Sequence, residues 1–194
     1  MTADSSPVSP QPEPQVVRQY RRLNTESDRQ ALIADIRQVR RDVSRVFELV
    51  PKDRWYEPRY HGWSPAAMLG HLELMDGVLM RMVGSAASGF RWSVSTGMLH
   101  QMNGIMAGIF RRRLVETTLA GLERGEQQVI DFIQKMSPER YDRLVYDPAL
   151  GVFLTIEQAL QEFFLEHWRE HLATMRAVDD RGGYEPTARR DTVV

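Results

Sequence analysis

The chain has 194 residues, 42% of them hydrophobic, and sets 25 basic against 26 acidic side chains for a formal net charge of −1. That length fits one domain with tails around a sizeable core, and the balance of charge offers no basic field for nucleic acid or an anionic membrane. Without cysteine there is no disulfide, no thiolate nucleophile and no sulfur ligand, which fits a reducing compartment and leaves nitrogen and oxygen to hold any metal. The opening stretch MTADSSPVSPQPEPQ has no basic segment leading into an apolar one, and no apolar run reaches the roughly 18 residues of a membrane span. The expectation is a soluble cytoplasmic protein.

Residues 1–22 combine Pro, Ser, Gln and Glu with little to bury, so ordering them costs backbone entropy without return, and a disordered tail is expected. The folded unit then spans 23–180. Its first helix lies within TESDRQALIADIRQVRRDVSRVFELVP, where Leu32, Ile36, Val39, Val43, Val46, Phe47 and Val50 form one stripe closed by Pro51. The second opens with Ser64 as N-cap and Pro65 at the first helical position, then runs through Met68, Leu72, Met75, Leu79 and Met82. In the next segment, residues 89–110, Met98, Met102, Ile105, Met106 and Ile109 recur at helical spacing, predicting a short helix, or an extension of the third helix, that packs the core or a dimer, or walls a pocket. A third helix carries Leu114, Thr118, Leu122, Val129, Phe132, Ile133 and Met136 before Pro138. The fourth begins at a capping box, Thr155 with Gln158, and continues to about Val178. Gly182 and Gly183 stop it, and residues 181–194 are expected to be a flexible tail. Strand signals are scarce. Four amphipathic helices must bury their apolar faces on one another, so the predicted fold is an all-α four-helix bundle.

Two of the five histidines stand four apart in FFLEHWREHLATM on the fourth helix. At about 100° per residue with Leu160 as the centre of the apolar face, His167 and His171 fall at roughly −20° and +20°, inside the stripe. Glu162, Glu166, Arg169 and Ala173 mark the opposite side. On the second helix His71 lies roughly 40° from a face centred on Met75, so it too points inward. Buried imidazoles need partners for both nitrogens, since an unpaired buried polar group costs about 1–3 kcal/mol. A divalent metal is an economical partner for three of them, and three protein ligands with an open fourth position describe a catalytic site. The plainer reading makes each a core histidine bonded to a carbonyl or carboxylate. Trp168 occupies the place where the catalytic Glu of an H-E-x-x-H protease would stand, which disfavours that chemistry.

The order GWSPAAMLGHL at the start of the second helix, then a long middle section, then TIEQALQEFFLEHWREHLATM, resembles the DinB-like superfamily of metal-dependent enzymes over residues 25–178. The resemblance implies a four-helix bundle, often homodimeric, with one histidine of the second helix and two of the last on a divalent metal such as Zn²⁺ or Ni²⁺. By position these are His71, His167 and His171. It further implies a transferase or hydrolase in which a thiol of the bacillithiol or mycothiol type, or water, bound by the metal acts on a small electrophile; the charge balance adds the expectation of neither nucleic acid nor membrane as partner. The missing cysteine agrees with a thiol that arrives as co-substrate. The alternative is a non-enzymatic, stress-associated scaffold bundle with a structural metal or none. His61 and His100 lie in connecting segments and read as surface groups, Trp63 and Trp168 as packing residues at a helix start and a helix flank, and Arg111 to Arg113 as a solvated helix start.

Overall fold

The computed structural model describes residues 18–90, 97–98, 101, 109–110 and 113–180. Thr25 starts the first helix: its hydroxyl accepts from the Asp28 amide at 3.1 Å while the Asp28 carboxylate accepts from the Thr25 amide at 3.2 Å, closing a capping box. Helix α1 then runs Glu26–Glu48, and every residue of its predicted stripe, with Val50 just beyond, is buried. Helix α2 (Pro65–Ala87) begins as the sequence predicts, with the Ser64 hydroxyl accepting from the Ala67 amide at 3.1 Å. Its stripe is buried, and so are Ala66, Leu69, Val78 and Val83 on its other sides, because α2 packs against both the third helix and the last. Helix α3 (Val115–Lys135) buries Thr118, Leu122, Val129 and Ile133; Leu114 stands 67% exposed at its N-cap instead of joining the stripe.

Between α3 and the last helix lies a hairpin the sequence reading did not foresee. Strands β1 (Leu144–Asp147) and β2 (Val152–Thr155) pair antiparallel with Val145 opposite Leu154, and both of those side chains enter the core. The turn is held by the buried Asp147 carboxylate, which accepts from the amides of Ala149 and Leu150, and by Gly151 at φ +69°. The predicted capping box then appears, Thr155 with Gln158, and opens α4 (Ile156–Gln161). The chain stays helical to α5 (His167–Asp179), but Glu162–Glu166 form a π-helical turn between the two. Packing of α1 against α3 and α5, and of α2 against α3 and α4, completes the four-helix bundle.

The predicted tail boundary at residue 22 moves toward the N-terminus. The side chain of Arg18 pairs with Glu162 and Glu170, the Tyr20 hydroxyl donates to Glu162 at 2.8 Å, Arg22 reaches Glu157 at 2.5 Å, and Leu23 is fully buried. The reason lies on the last helix: Glu157, Gln161 and Glu162 are buried polar side chains, and the arm supplies their donors. Of the predicted short helix, Met102, Ile105, Met106 and His100 lie outside the described residues, as does the tail 181–194; Met98 and Ile109 are exposed. The segment returns to the core at Phe110, whose buried ring occupies the space a Cβ at Gly70 would need. Among the described residues no helix is long and apolar enough to cross a membrane.

Candidate metal centre

Helix α2 and the last helix lie side by side, and one turn of each carries imidazoles toward the other. His171 Nε2 stands 3.0 Å from His167 Nε2, and His71 Nε2 stands 3.4 Å from it. All three residues offer a ring nitrogen within 4.8 Å of the other two. The rings meet at steep angles, 70–79° between planes, with centroids 4.6–5.4 Å apart, so nitrogens rather than faces converge.

This arrangement is hard to satisfy with protons alone. Burial holds His167 well below the ordinary imidazole pKa, helped by the charges of its two neighbours and of Arg40, and burial lowers His171 to about 4. Both are therefore neutral at pH 7, and a neutral Nε2 is either donor or acceptor. His167 Nε2 faces two nitrogens and has one hydrogen or one lone pair to offer them. A cation accepts all three lone pairs, and two nitrogens about 2.0–2.1 Å from one tetrahedral ion stand about 3.3 Å apart. The observed 3.0 and 3.4 Å lie on either side of that edge. The donor set, all imidazole nitrogen, suits Zn²⁺ or Ni²⁺.

The structure thus brings together the three histidines chosen from the sequence, with one correction to their setting. His71 is buried, but His167 and His171 are half-buried at the edge of the stripe instead of its middle. The π-helical turn before them holds one extra residue, which rotates the rest of the helix by about 100° relative to a straight α-helix. The central place passes to Trp168, predicted on the flank and found 2% exposed. Glu162, predicted on the polar side, is buried under the N-terminal arm.

His61 is exposed and is not one of the three clustered histidines; it adopts φ +47° and Gly62 φ +84°, forming a tight turn whose flanking residues Tyr60 and Trp63 exchange backbone hydrogen bonds at 2.9 and 2.8 Å. That turn sets the Trp63 ring edge-on to His71, with centroids 5.2 Å apart, so Trp63 orients a candidate ligand as well as packing the helix start. Arg113 is paired with Glu73 at 2.7 Å; His100, Arg111 and Arg112 lie outside the described residues. Sequence reasoning missed Arg40 and Asp76, which form a buried ion pair at 2.8 Å beside Trp168. The signal was present: Arg40 falls in the stripe between Ile36 and Val43, and Asp76 between Leu72 and Leu79.

Residues 35–175 match the model of the DinB superfamily. No curated protein matches the chain in sequence. Solved structures with the same fold include YfiT from Bacillus subtilis, described as a probable metal-dependent hydrolase with an unusual four-helix bundle topology. It is 15% identical, with a TM-score of 0.66 over 83% of this chain and 91% of its own. The mycothiol-dependent maleylpyruvate isomerase is 14% identical, with a TM-score of 0.63 over 76% of this chain and 60% of its own. The colibactin self-resistance protein ClbS, solved in complex with a double-stranded DNA, is 15% identical, with a TM-score of 0.63 over 78% of this chain and 94% of its own.

Proposed function

The chain belongs to the DinB superfamily, and on that premise we propose that it is a metal-dependent enzyme of the transferase or hydrolase type, with His71, His167 and His171 holding one divalent ion, Zn²⁺ or Ni²⁺. The observation that carries this reading is the convergence of three imidazole nitrogens from two helices within 4.8 Å. When bound, such an ion supplies Lewis acidity, lowering the pKa of a coordinated water or thiol so that a nucleophile exists at neutral pH. The chain's own contribution is to keep the His167 and His171 imidazoles neutral through burial, to hold the His71 ring with Trp63, and to leave His167 and His171 partly open to an incoming molecule. A chain with no cysteine has no sulfur of its own to offer, so in the transferase reading the thiol is a low-molecular-weight co-substrate of the mycothiol or bacillithiol type. The mycothiol-dependent relative supports that choice at the level of fold. The DNA-bound relative raises a duplex as an alternative partner; near-equal numbers of basic and acidic residues favour a small molecule instead.

Elemental analysis of untagged protein tests the centre directly. The expected result is about one divalent ion per chain, as three histidines with an open position would hold, with His167→Ala depleted. Equally little metal in the two proteins would overturn the reading. The same preparations, offered a low-molecular-weight thiol and small electrophiles, should consume thiol only when metal is present, with activity lost in each of the three histidine variants. A triple-alanine variant that folds, binds no metal and keeps every function would favour the scaffold alternative.

A further inference from the structure

Behind the histidines, three helices meet at a cluster the metal reading does not use. Arg40 of α1 and Asp76 of α2 are 5% and 3% exposed, and Arg40 Nη1 lies 2.8 Å from Asp76 Oδ2. The other carboxylate oxygen, Asp76 Oδ1, accepts from Trp168 Nε1 of α5 at 3.0 Å. The Arg40 guanidinium lies over the Trp168 ring, 4.1 Å from its centroid. On α3, Gly125 leaves the carboxylate its room: a Cβ there would stand 3.3 Å from Asp76 Oδ2.

Stability does not account for such a cluster. A buried ion pair generally does no better than well-packed apolar residues of the same volume, because desolvation offsets the Coulomb attraction. What polar bonds add is direction. Apolar side chains tolerate a small rotation of a helix, whereas an indole N–H held at 3.0 Å from one carboxylate oxygen does not. Rotation is the coordinate that matters here, because the π-helical turn Glu162–Glu166 resets the facing of everything after it. Trp168 is the next residue after His167, and Asp76 sits on the helix that carries His71. Turning α5 by about 20° would carry an imidazole nitrogen about 6 Å from the axis through about 2 Å. Metal–ligand distances tolerate about 0.2 Å.

Resting on the reading of the three histidines as a metal centre, we infer that Arg40, Asp76 and Trp168 are its positioning residues: they tie α5 to α2 at the one rotation that brings His167 and His171 up to His71. Trp168 and Asp76 fix the angle between the two helices, and Arg40 clamps the indole from α1 while balancing the Asp76 charge. None of the three supplies a ligand atom.

Co²⁺ titration of the full chain, monitored by its visible absorption, reads both affinity and coordination geometry. Trp168→Phe keeps an aromatic ring under Arg40 and removes the N–H; it should weaken Co²⁺ binding about tenfold or more, the usual effect of losing outer support for metal ligands, and shift the visible bands. Asp76→Ala should do the same. Asp76→Asn keeps an oxygen for the indole N–H and should retain the wild-type bands, so the conservative change rescues the geometry. Val178→Ala, a buried position on the same helix outside the cluster, controls for softening: it should melt lower yet bind Co²⁺ within about twofold of wild type. The positioning role is overturned if Trp168→Phe binds with wild-type affinity and bands, or if Val178→Ala loses binding to the same degree. A wild type that takes up no Co²⁺ removes the metal centre itself, and the positioning role with it.

Discussion

His171 illustrates how the site's chemistry is set at the scale of a single ring. Burial lowers its pKa to about 4 and holds His167 well below the ordinary value, so in acid the unfolded chain binds protons that the folded chain refuses. Where the unfolded state binds more protons, stability rises with pH. His171 therefore contributes stability that is complete above an unfolded pKa of about 6.5 and is lost as pH falls toward 4, and His167 acts in the same direction. Buried Asp76, Asp147 and Glu162 act in the opposite sense, since burial raises their pKa values. A difference measurement separates the two: with chelator present, wild type should lose more melting temperature between pH 6.5 and 4 than His171→Gln does. Parallel curves for the two proteins would show that the ring is not held neutral by its surroundings.

At the scale of elements, the last helix depends on what covers it. The N-terminal arm satisfies Glu157 and Glu162 with Arg22, Arg18 and Tyr20, and sinks Leu23 into the core. Leu23→Ala should cost about 2–5 kcal/mol in urea unfolding, the range for a fully buried leucine, although it belongs to no helix; a cost under about 0.5 kcal/mol, typical of a surface change, would mean the arm is not part of the core. Thr155→Ala removes one half of the capping box at the start of α4 and should cost about 1 kcal/mol. A helix start that frays without that hydroxyl should show faster amide exchange at Gln158, whose N–H the hydroxyl accepts at 3.4 Å. At Gly70, the residue before His71, alanine would meet the Phe110 ring, so Gly70→Ala should lower both melting temperature and metal affinity.

For the whole molecule, metal and fold are linked through mass action. A ligand that binds only the folded chain adds about 2.7 kcal/mol when present at a hundred times its dissociation constant. Zn²⁺ should therefore raise the melting temperature of the untagged protein in a concentration-dependent way, and a chelator should reverse it. His171→Ala should abolish the response, and His100→Ala should keep it. Equal loss in both would mean that the ligand set is wrong. The bundle should survive loss of any one histidine, because the stripes of α1, α2 and α3 and the buried Trp168, Leu172, Met175 and Val178 of α5 remain in place.

Periodicity determined the four helices and the bundle, and local capping residues the starts at Ser64 and Thr155, because burial repeats with the helical turn and capping chemistry is local; the inward-facing histidines it picked out, His71, His167 and His171, do meet. The long apolar stripes made this legible; no contact between distant residues had to be known. What the tertiary structure decided is whatever depends on partners far away in the chain. The π-helical turn has no local sequence mark, yet it moves His167 and His171 to the edge of the stripe and puts Trp168 at its centre. The hairpin at Leu144–Thr155 is too short to show a strand period, and is fixed by burial of Val145 and Leu154 and by the Asp147 turn. The arm at Arg18–Leu23 reads as tail by composition, and becomes structure because Glu157 and Glu162 on a helix more than a hundred residues away need donors. Arg40 and Asp76 were visible as charges inside apolar stripes; that they answer each other and Trp168 across three helices is a product of how those helices pack.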